Sequence, residues 1–248
     1  MKEEFNIVMD IGEQMLLSGA EVHRVEDSIE RMCRSFGAIS TDVFIITSSI
    51  VVTIHMSEGV LTQTRRIKGG GTDIEKLHKL NELSRKICAE HISLKDISDE
   101  FYRIKKMKKY PVVFEVFSYA VIASAFTVFF GGGAVEAAVS LLIGCLLYIS
   151  VYLTESAEMN KIFSKFISSF FLSVFSYFAV KLGAVDKIDN IMIGNIMLLI
   201  PGIGLTNALR DLLTGDSIAG LLRLIEASIS ALAIAAGYFV FVFCFLGV

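Results

Sequence analysis

Polar and ionisable side chains set inside an apolar stretch are where this chain could do chemistry. One stretch holds most of them. Leu199-Ile200-Pro201-Gly202-Ile203-Gly204-Leu205-Thr206-Asn207-Ala208-Leu209-Arg210-Asp211 follows the apolar run Ile191 to Ile200 and contains one of the chain's 2 prolines. Counted from a membrane entry at Asn190, with a helical rise of about 1.5 Å per residue, Pro201 lies about 16 Å deep. That is near the midplane of a hydrocarbon core about 30 Å thick. Proline removes a backbone donor and glycine loosens the chain, so Pro201, Gly202 and Gly204 predict a broken helix. Backbone groups freed at that depth need protein or a water-filled cavity around them, and many secondary transporters build their binding sites this way. Thr206 and Asn207 add hydrogen-bonding side chains directly after the break. Pro201, Gly202, Gly204, Thr206 and Asn207 are therefore the candidate substrate contacts. A kink that only shapes packing accounts for the same proline equally well.

Charge gathers just beyond. Arg210 and Asp211 end the broken span, while Arg223 and Glu226 stand i, i+3 on the next helix, close enough to pair. A short connection should bring all four into one cluster at the cytoplasmic mouth. Partial burial raises a carboxylate pKa and a neighbouring arginine lowers it, so a moving arginine would let Glu226 take up and release a proton. The plainer reading is a static network that holds the helices together, with Arg223 snorkelling to the interface.

The elements that position these residues follow from composition. Of 248 residues, 54% are hydrophobic and 20% charged, with mean hydropathy +0.63 and net charge −3. Those values fit a membrane protein and exclude a nucleic-acid footprint. Charge is concentrated in residues 1–110 and hydrophobicity in 111–248. The expected fold is thus an α+β cytoplasmic domain, 1–110, followed by an all-α membrane domain of five transmembrane helices, 111–248. Met1-Lys2-Glu3-Glu4 is acidic and lacks the apolar region of a signal peptide.

In 1–110 the pattern predicts a helix over 2–17 and a capping box at Ser18-Gly19-Ala20-Glu21 opening a second helix to about Phe36. That helix buries Val22, Val25, Ile29, Met32, Cys33 and Phe36, with Glu21 and Arg24 on its solvated face. Alternation in Ile50, Val52, Ile54 and Met56 marks a strand, flanked by strands over 41–47 and 60–67. Lys68-Gly69-Gly70-Gly71 lacks phosphate-loop spacing and reads as a flexible linker. Boxes at Thr72-Asp73-Ile74-Glu75 and Ser93-Leu94-Lys95-Asp96 open two more helices. No cofactor or metal is expected. The histidines His23, His55, His78 and His91 form no i, i+4 pair, and Cys33, Cys88, Cys145 and Cys244 have no ligand spacing.

The membrane half divides into spans at 111–130, 134–153, 162–182, 190–209 and 221–246. Arg103, Lys105, Lys106, Lys108, Lys109, Lys161, Lys165, Arg210 and Arg223 fall on one side of them, against Lys181 and Lys187 on the other. The N-terminus is therefore expected in the cytoplasm and the C-terminus outside. Ser164, Ser168, Ser169, Ser173 and Ser176, and likewise Ala227, Ala231 and Ala235, offer faces for close helix contact, including with a partner.

Two motifs now stand out: Gly19-Ala20-Glu21-Val22-His23-Arg24-Val25-Glu26-Asp27, and Leu199 to Leu212 followed by Gly215-Asp216 and Gly220 to Ala227. Arg66-Ile67 and Asn81-Glu82-Leu83-Ser84-Arg85 support them. Together they resemble the threonine/serine exporter family of bacterial inner-membrane proteins. The resemblance implies roles for Glu21, Arg24, Glu26, Arg66 and Asn81 in the cytoplasmic-domain motif. His23 stands where the family more usually has an aromatic or small polar residue, and it is given no role. Fused members have about twice as many spans. The resemblance therefore implies that this chain is the larger half of a split exporter, with a small membrane protein as partner and a homo-oligomer as a further option. It implies proton-driven export of threonine, serine or a dicarboxylate such as succinate, and no enzyme activity. From another class, a membrane-anchored enzyme or a regulatory subunit acting through 1–110 remains the alternative.

Overall fold

The computed structural model describes residues 2–90, 92–107, 110–185 and 188–247. His91, Lys108, Lys109 and Lys187, used above, lie outside the described residues. The chain is mostly helical with one three-stranded sheet. It forms two compact units: Met1–Lys108 with Gly202–Ile225, and Lys109–Pro201 with Glu226–Val248. The segment just after the central proline thus packs with the charged part of the chain.

In the first unit α1 (Lys2–Leu17) and α2 (Val22–Ser35) precede an antiparallel meander of β1 (Ser40–Ile46), β2 (Ser49–Met56) and β3 (Gly59–Arg66); α3 (Ile74–Ala89) and α4 (Leu94–Lys105) follow. The register pairs Val43 with Val52 and Thr53 with Thr62. Strand alternation then sends Ile50, Val52 and Ile54 into a core shared with Val8, Met9, Ile11, Val25, Ile29, Met32, Leu80 and Phe101. The expected α2 stripe is buried except at Phe36, which is half-buried.

Capping corrects part of the sequence reading. Ser93 caps α4 by accepting from the Asp96 N–H at 3.2 Å. Asp73, rather than Thr72, caps α3, accepting from the Lys76 N–H at 2.9 Å. The box at Ser18–Glu21 does not form, because Glu21 is itself the N-cap residue and its side chain makes no cap hydrogen bond. Ser18 instead finishes α1, its N–H reaching the Gln14 carbonyl at 3.0 Å. The glycine segment is not a free linker either. The Gly71 N–H donates to the Leu17 carbonyl and the Asp73 N–H to the Ser18 carbonyl, each at 3.0 Å.

The second unit is built from α5 (Val112–Phe129), α6 (Ala134–Ser156), α7 (Lys161–Lys181), α8 (Asp189–Ile196) and the part of α10 (Ser217–Leu246) from Glu226 onward. Among the described residues 4 helices are long and apolar enough to cross a membrane: α5, α6, α7 and α10. The remaining span drawn at 190–209 is not one helix. It comprises α8 and α9 (Gly202–Thr214), of 8 and 13 residues, each short of the roughly 20 that a crossing needs.

The interior of this unit sets a polar seam beside an apolar cluster of Ile143, Leu147, Leu172, Ile191 and Ile234. Thr127 and Ser140 share a hydroxyl bond of 2.6 Å, and Asn195 donates to Ser140 at 2.5 Å. Ser169 donates to the Ile234 carbonyl at 2.7 Å. Ser164, Ser168, Ser169, Ser173 and Ser176 are all buried within the chain, so this face is not open to a partner. Ala231 and Ala235 are exposed and Ala227 is half-buried.

Candidate functional site

The helix break is present. Proline clashes with the carbonyl four residues back, which is that of Met197, and α8 stops one residue earlier at Ile196. Residues 197–201 form the gap before α9 begins at Gly202. Asn195, 0% exposed, anchors the end of α8 by donating to Ser140 and to the Ile191 carbonyl.

Within the first unit α9 meets the loop joining α1 to α2. Gly19 holds φ +91°, and a Cβ there would lie 3.0 Å from the Gly71 carbonyl oxygen, so the position requires glycine. This turn presents two backbone carbonyls. Asn207 Nδ2 donates to the Gly19 carbonyl at 3.1 Å, and Arg223 Nη2 donates to the Ala20 carbonyl at 2.8 Å. Arg210 forms an ion pair with Glu21. Arg223 Nη1 lies 3.4 Å from Asp211 Oδ2, and Asp211 is only 1% exposed, with neither oxygen in a hydrogen bond of normal geometry although the Val22 amide lies near enough to act on it. The α9–α10 elbow is tight: a Cβ on Gly220 would sit 2.8 Å from the Leu212 nitrogen.

Such a site strains its carboxylates. Burial raises the Asp211 pKa; Arg223 and the Val22 amide pull it back, and Asp216 and Glu21 push it up again. Glu26 is raised by burial and by Asp216, despite the Ile45 N–H it accepts at 3.2 Å. Removing Arg223 alone would strand a buried charge, which typically costs about 3–5 kcal/mol.

Of the expected charged cluster, Arg210, Asp211 and Arg223 come together, with Glu21 as the fourth member. Glu226 is exposed and makes no ion pair among the described residues. The Arg223 guanidinium is already occupied by Ala20 and Asp211, which leaves nothing to draw Glu226 in. Among the candidate substrate contacts, Gly202 and Thr206 are exposed and Pro201, Gly204 and Asn207 half-buried. The Thr206 hydroxyl turns back to the Gly202 carbonyl at 3.0 Å. Arg24 and Arg66 are exposed; it is the neighbouring Arg65 that reaches Asp10 at 3.4 Å. Asn81 bonds the Leu77 carbonyl of its own helix at 2.9 Å.

Three groupings were not foreseen. Tyr148 donates to Glu115 at 2.6 Å inside the second unit. Thr127, Ser140 and Asn195 form the seam described above. His23, Glu26 and Asp216 bring ligand atoms within 4.8 Å of one another, a set able to hold a metal ion. A lone amide in the apolar run at 191–200 was a signal for Asn195; no local pattern marks Tyr148.

No solved structure matches the chain. A protein of Klebsiella aerogenes named "Probable succinate transporter subunit YjjP" is 29% identical over 227 residues, covering 90% of this chain and 86% of that protein. The Escherichia coli K12 protein of the same name is 24% identical over 226 residues, covering 90% and 87%. The ThrE family profile, described as "Putative threonine/serine exporter", matches residues 6–245. That family is one of transporters rather than enzymes. Matched over nearly its whole length, the chain belongs to the threonine/serine exporter family of membrane proteins.

Proposed function

We propose that this chain is the domain-bearing subunit of a split, proton-coupled exporter in the bacterial inner membrane, moving a small carboxylate-bearing metabolite out of the cell. Threonine, serine or a dicarboxylate such as succinate fits the family and the relatives' names. The observation that carries the reading is the helix interrupted at 197–201. The first N–H groups of α9, from Gly202 on, have no partner within their own helix, and nothing lies within 4 Å of a would-be Cβ at Gly202. A carboxylate is favoured at such a helix start by both hydrogen bonding and the helix dipole. Pro201, Gly202, Gly204, Thr206 and Asn207 line this position in the proposal.

Parity supports five crossings in this reading, with 1–110 as the cytoplasmic domain. Crossings by α5, α6 and α7 would leave the chain on the side opposite residues 1–107, yet Asn207 bonds Gly19. The return then falls before α9. Eight helical residues of α8 give about 12 Å. Five further residues give up to about 17 Å, so together they nearly match a core of about 30 Å. The basic residues near the span ends support an N-terminus inside and a C-terminus outside. A small membrane protein supplies the other wall of the site, and the exposed Ala231 and Ala235 are its proposed contact.

The test is efflux of serine, threonine and succinate from cells expressing the chain with and without that partner, across external pH. Export is expected only with both subunits. Glu226→Gln tests a coupling role held apart from the Arg223 cluster: with Glu226 as proton carrier, the variant assembles normally and loses pH-driven export. Efflux unchanged by the chain for every substrate would sink the transport reading. Normal pH dependence in Glu226→Gln would remove only the coupling role.

A further inference from the structure

We propose that His23, Glu26 and Asp216 form a binding site for one first-row divalent transition-metal ion. His23 and Glu26 stand i, i+3 in the first turns of α2 and so share a face. Asp216 comes from the turn between α9 and α10, held there by its N–H bond to the Asp211 carbonyl at 2.9 Å. Ligand atoms at most 4.8 Å apart define a centre roughly 2.8 Å from each. A bound ion needs about 2.0–2.2 Å, so small rotamer shifts close the site.

Charge points the same way. Arg210 is taken by Glu21 and Arg223 by Asp211 and Ala20. Neither Glu26 nor Asp216 has a lysine or arginine ion pair among the described residues. Asp216 Oδ2 is buried with no hydrogen-bond partner. Asp211, whose charge acts on Glu26, is 1% exposed and is offset by Arg223 and the Val22 amide. Buried carboxylate oxygens are ordinarily hydrogen-bonded, paired with cations or bound to metal. A dication here meets that requirement for the pair left over. One imidazole with two carboxylates suits Zn2+, Mn2+ or Fe2+ better than Mg2+ or Ca2+, which prefer all-oxygen sites. Three protein ligands leave coordination positions open. Bound, the ion would join α2 to the α9–α10 turn.

The site is independent of the transport reading and is tested without transport. Full-length chain in detergent, stripped by chelator, is titrated with Zn2+ and with Mn2+ by calorimetry, and its thermal unfolding is followed in parallel. One ion per chain is expected, with a Tm raised by metal. His23→Gln and Asp216→Asn should each weaken Zn2+ binding about tenfold or more and remove the Tm rise. His55→Gln and His78→Gln, which replace histidines beside Asp42 and Glu82, should leave both unchanged. His23 is exposed, so its variant folds and decides the matter even where Asp216→Asn does not. Absence of saturable binding, or binding indifferent to His23→Gln, would overturn the proposal.

Discussion

Inside the first unit the core is apolar, with Val8, Met9, Ile11, Ile29, Met32, Leu80 and Phe101, and Asp211 is the one buried charge among the described residues. Inside the second, Thr127, Ser140, Ser168, Ser169, Ser173, Ser176 and Asn195 are buried beside Ile143, Leu147, Leu172, Ile191 and Ile234, while Phe117, Leu142, Leu153, Leu232, Phe239 and Phe243 face outward. The difference teaches what surrounds each unit. In water, apolar burial drives folding and the interior is oily. Lipid tails are as apolar as leucine, so helices in a bilayer gain nothing by hiding leucine. Small side chains and interhelical hydrogen bonds hold them instead.

The sharpest way to break this contrast is at a close approach. Gly194 on α8 leaves no room: a Cβ would lie 2.7 Å from the Thr127 nitrogen and 2.8 Å from its Cα. Gly194→Val should cost about 4 kcal/mol or more and abolish monodisperse protein in detergent, read by size-exclusion chromatography. A normal elution profile would mean that α5 and α8 can separate cheaply.

Next comes the same kind of deletion in the two settings. Phe101→Ala removes a ring that is 1% exposed and should destabilise the first unit by about 3–5 kcal/mol. Leu232→Ala removes a side chain that is 69% exposed and should change stability by less than about 0.5 kcal/mol. Denaturant or thermal unfolding of the full chain measures both. Equal costs would refute the assignment of lipid to the outside of the second unit.

The smallest effect separates two serines. Ser169 bonds another helix through the Ile234 carbonyl, whereas Ser176 bonds the Leu172 carbonyl of its own helix at 2.9 Å. Ser169→Ala should cost about 0.6–1 kcal/mol and Ser176→Ala less, compared by Tm of the purified chain. The reverse order would place the seam's strength within single helices.

How far the sequence could be read depended on the range of the interaction. Alternation over 50–56 located β2 because its signal repeats every second residue. The helix break was legible at Pro201, but the apolar run before it disguised where helix ends, since the proline's clash acts four residues upstream. Ser18–Glu21 misled because the same S-x-x-E spacing can close one helix as well as open another. Glu21, Asn195 and Asp216 find their partners 189, 55 and 190 to 193 positions away or across a turn, where no local pattern reports them. Glu226 was placed in the cluster by proximity in sequence alone, and Glu21 holds that place by folding.

The turn at Gly19 and Ala20 grips α9 and α10 through carbonyl oxygens, not side chains. A carbonyl is the same acceptor whichever residue carries it. Mutational tolerance in this turn is therefore a question of shape alone. Gly19 is fixed by its left-handed backbone and the nearness of Gly71, and Ala20, buried at 4% exposure, is limited by size. Keeping this grip depends on the donors, the Asn207 amide and the Arg223 guanidinium, whose planar fork a lysine does not reproduce.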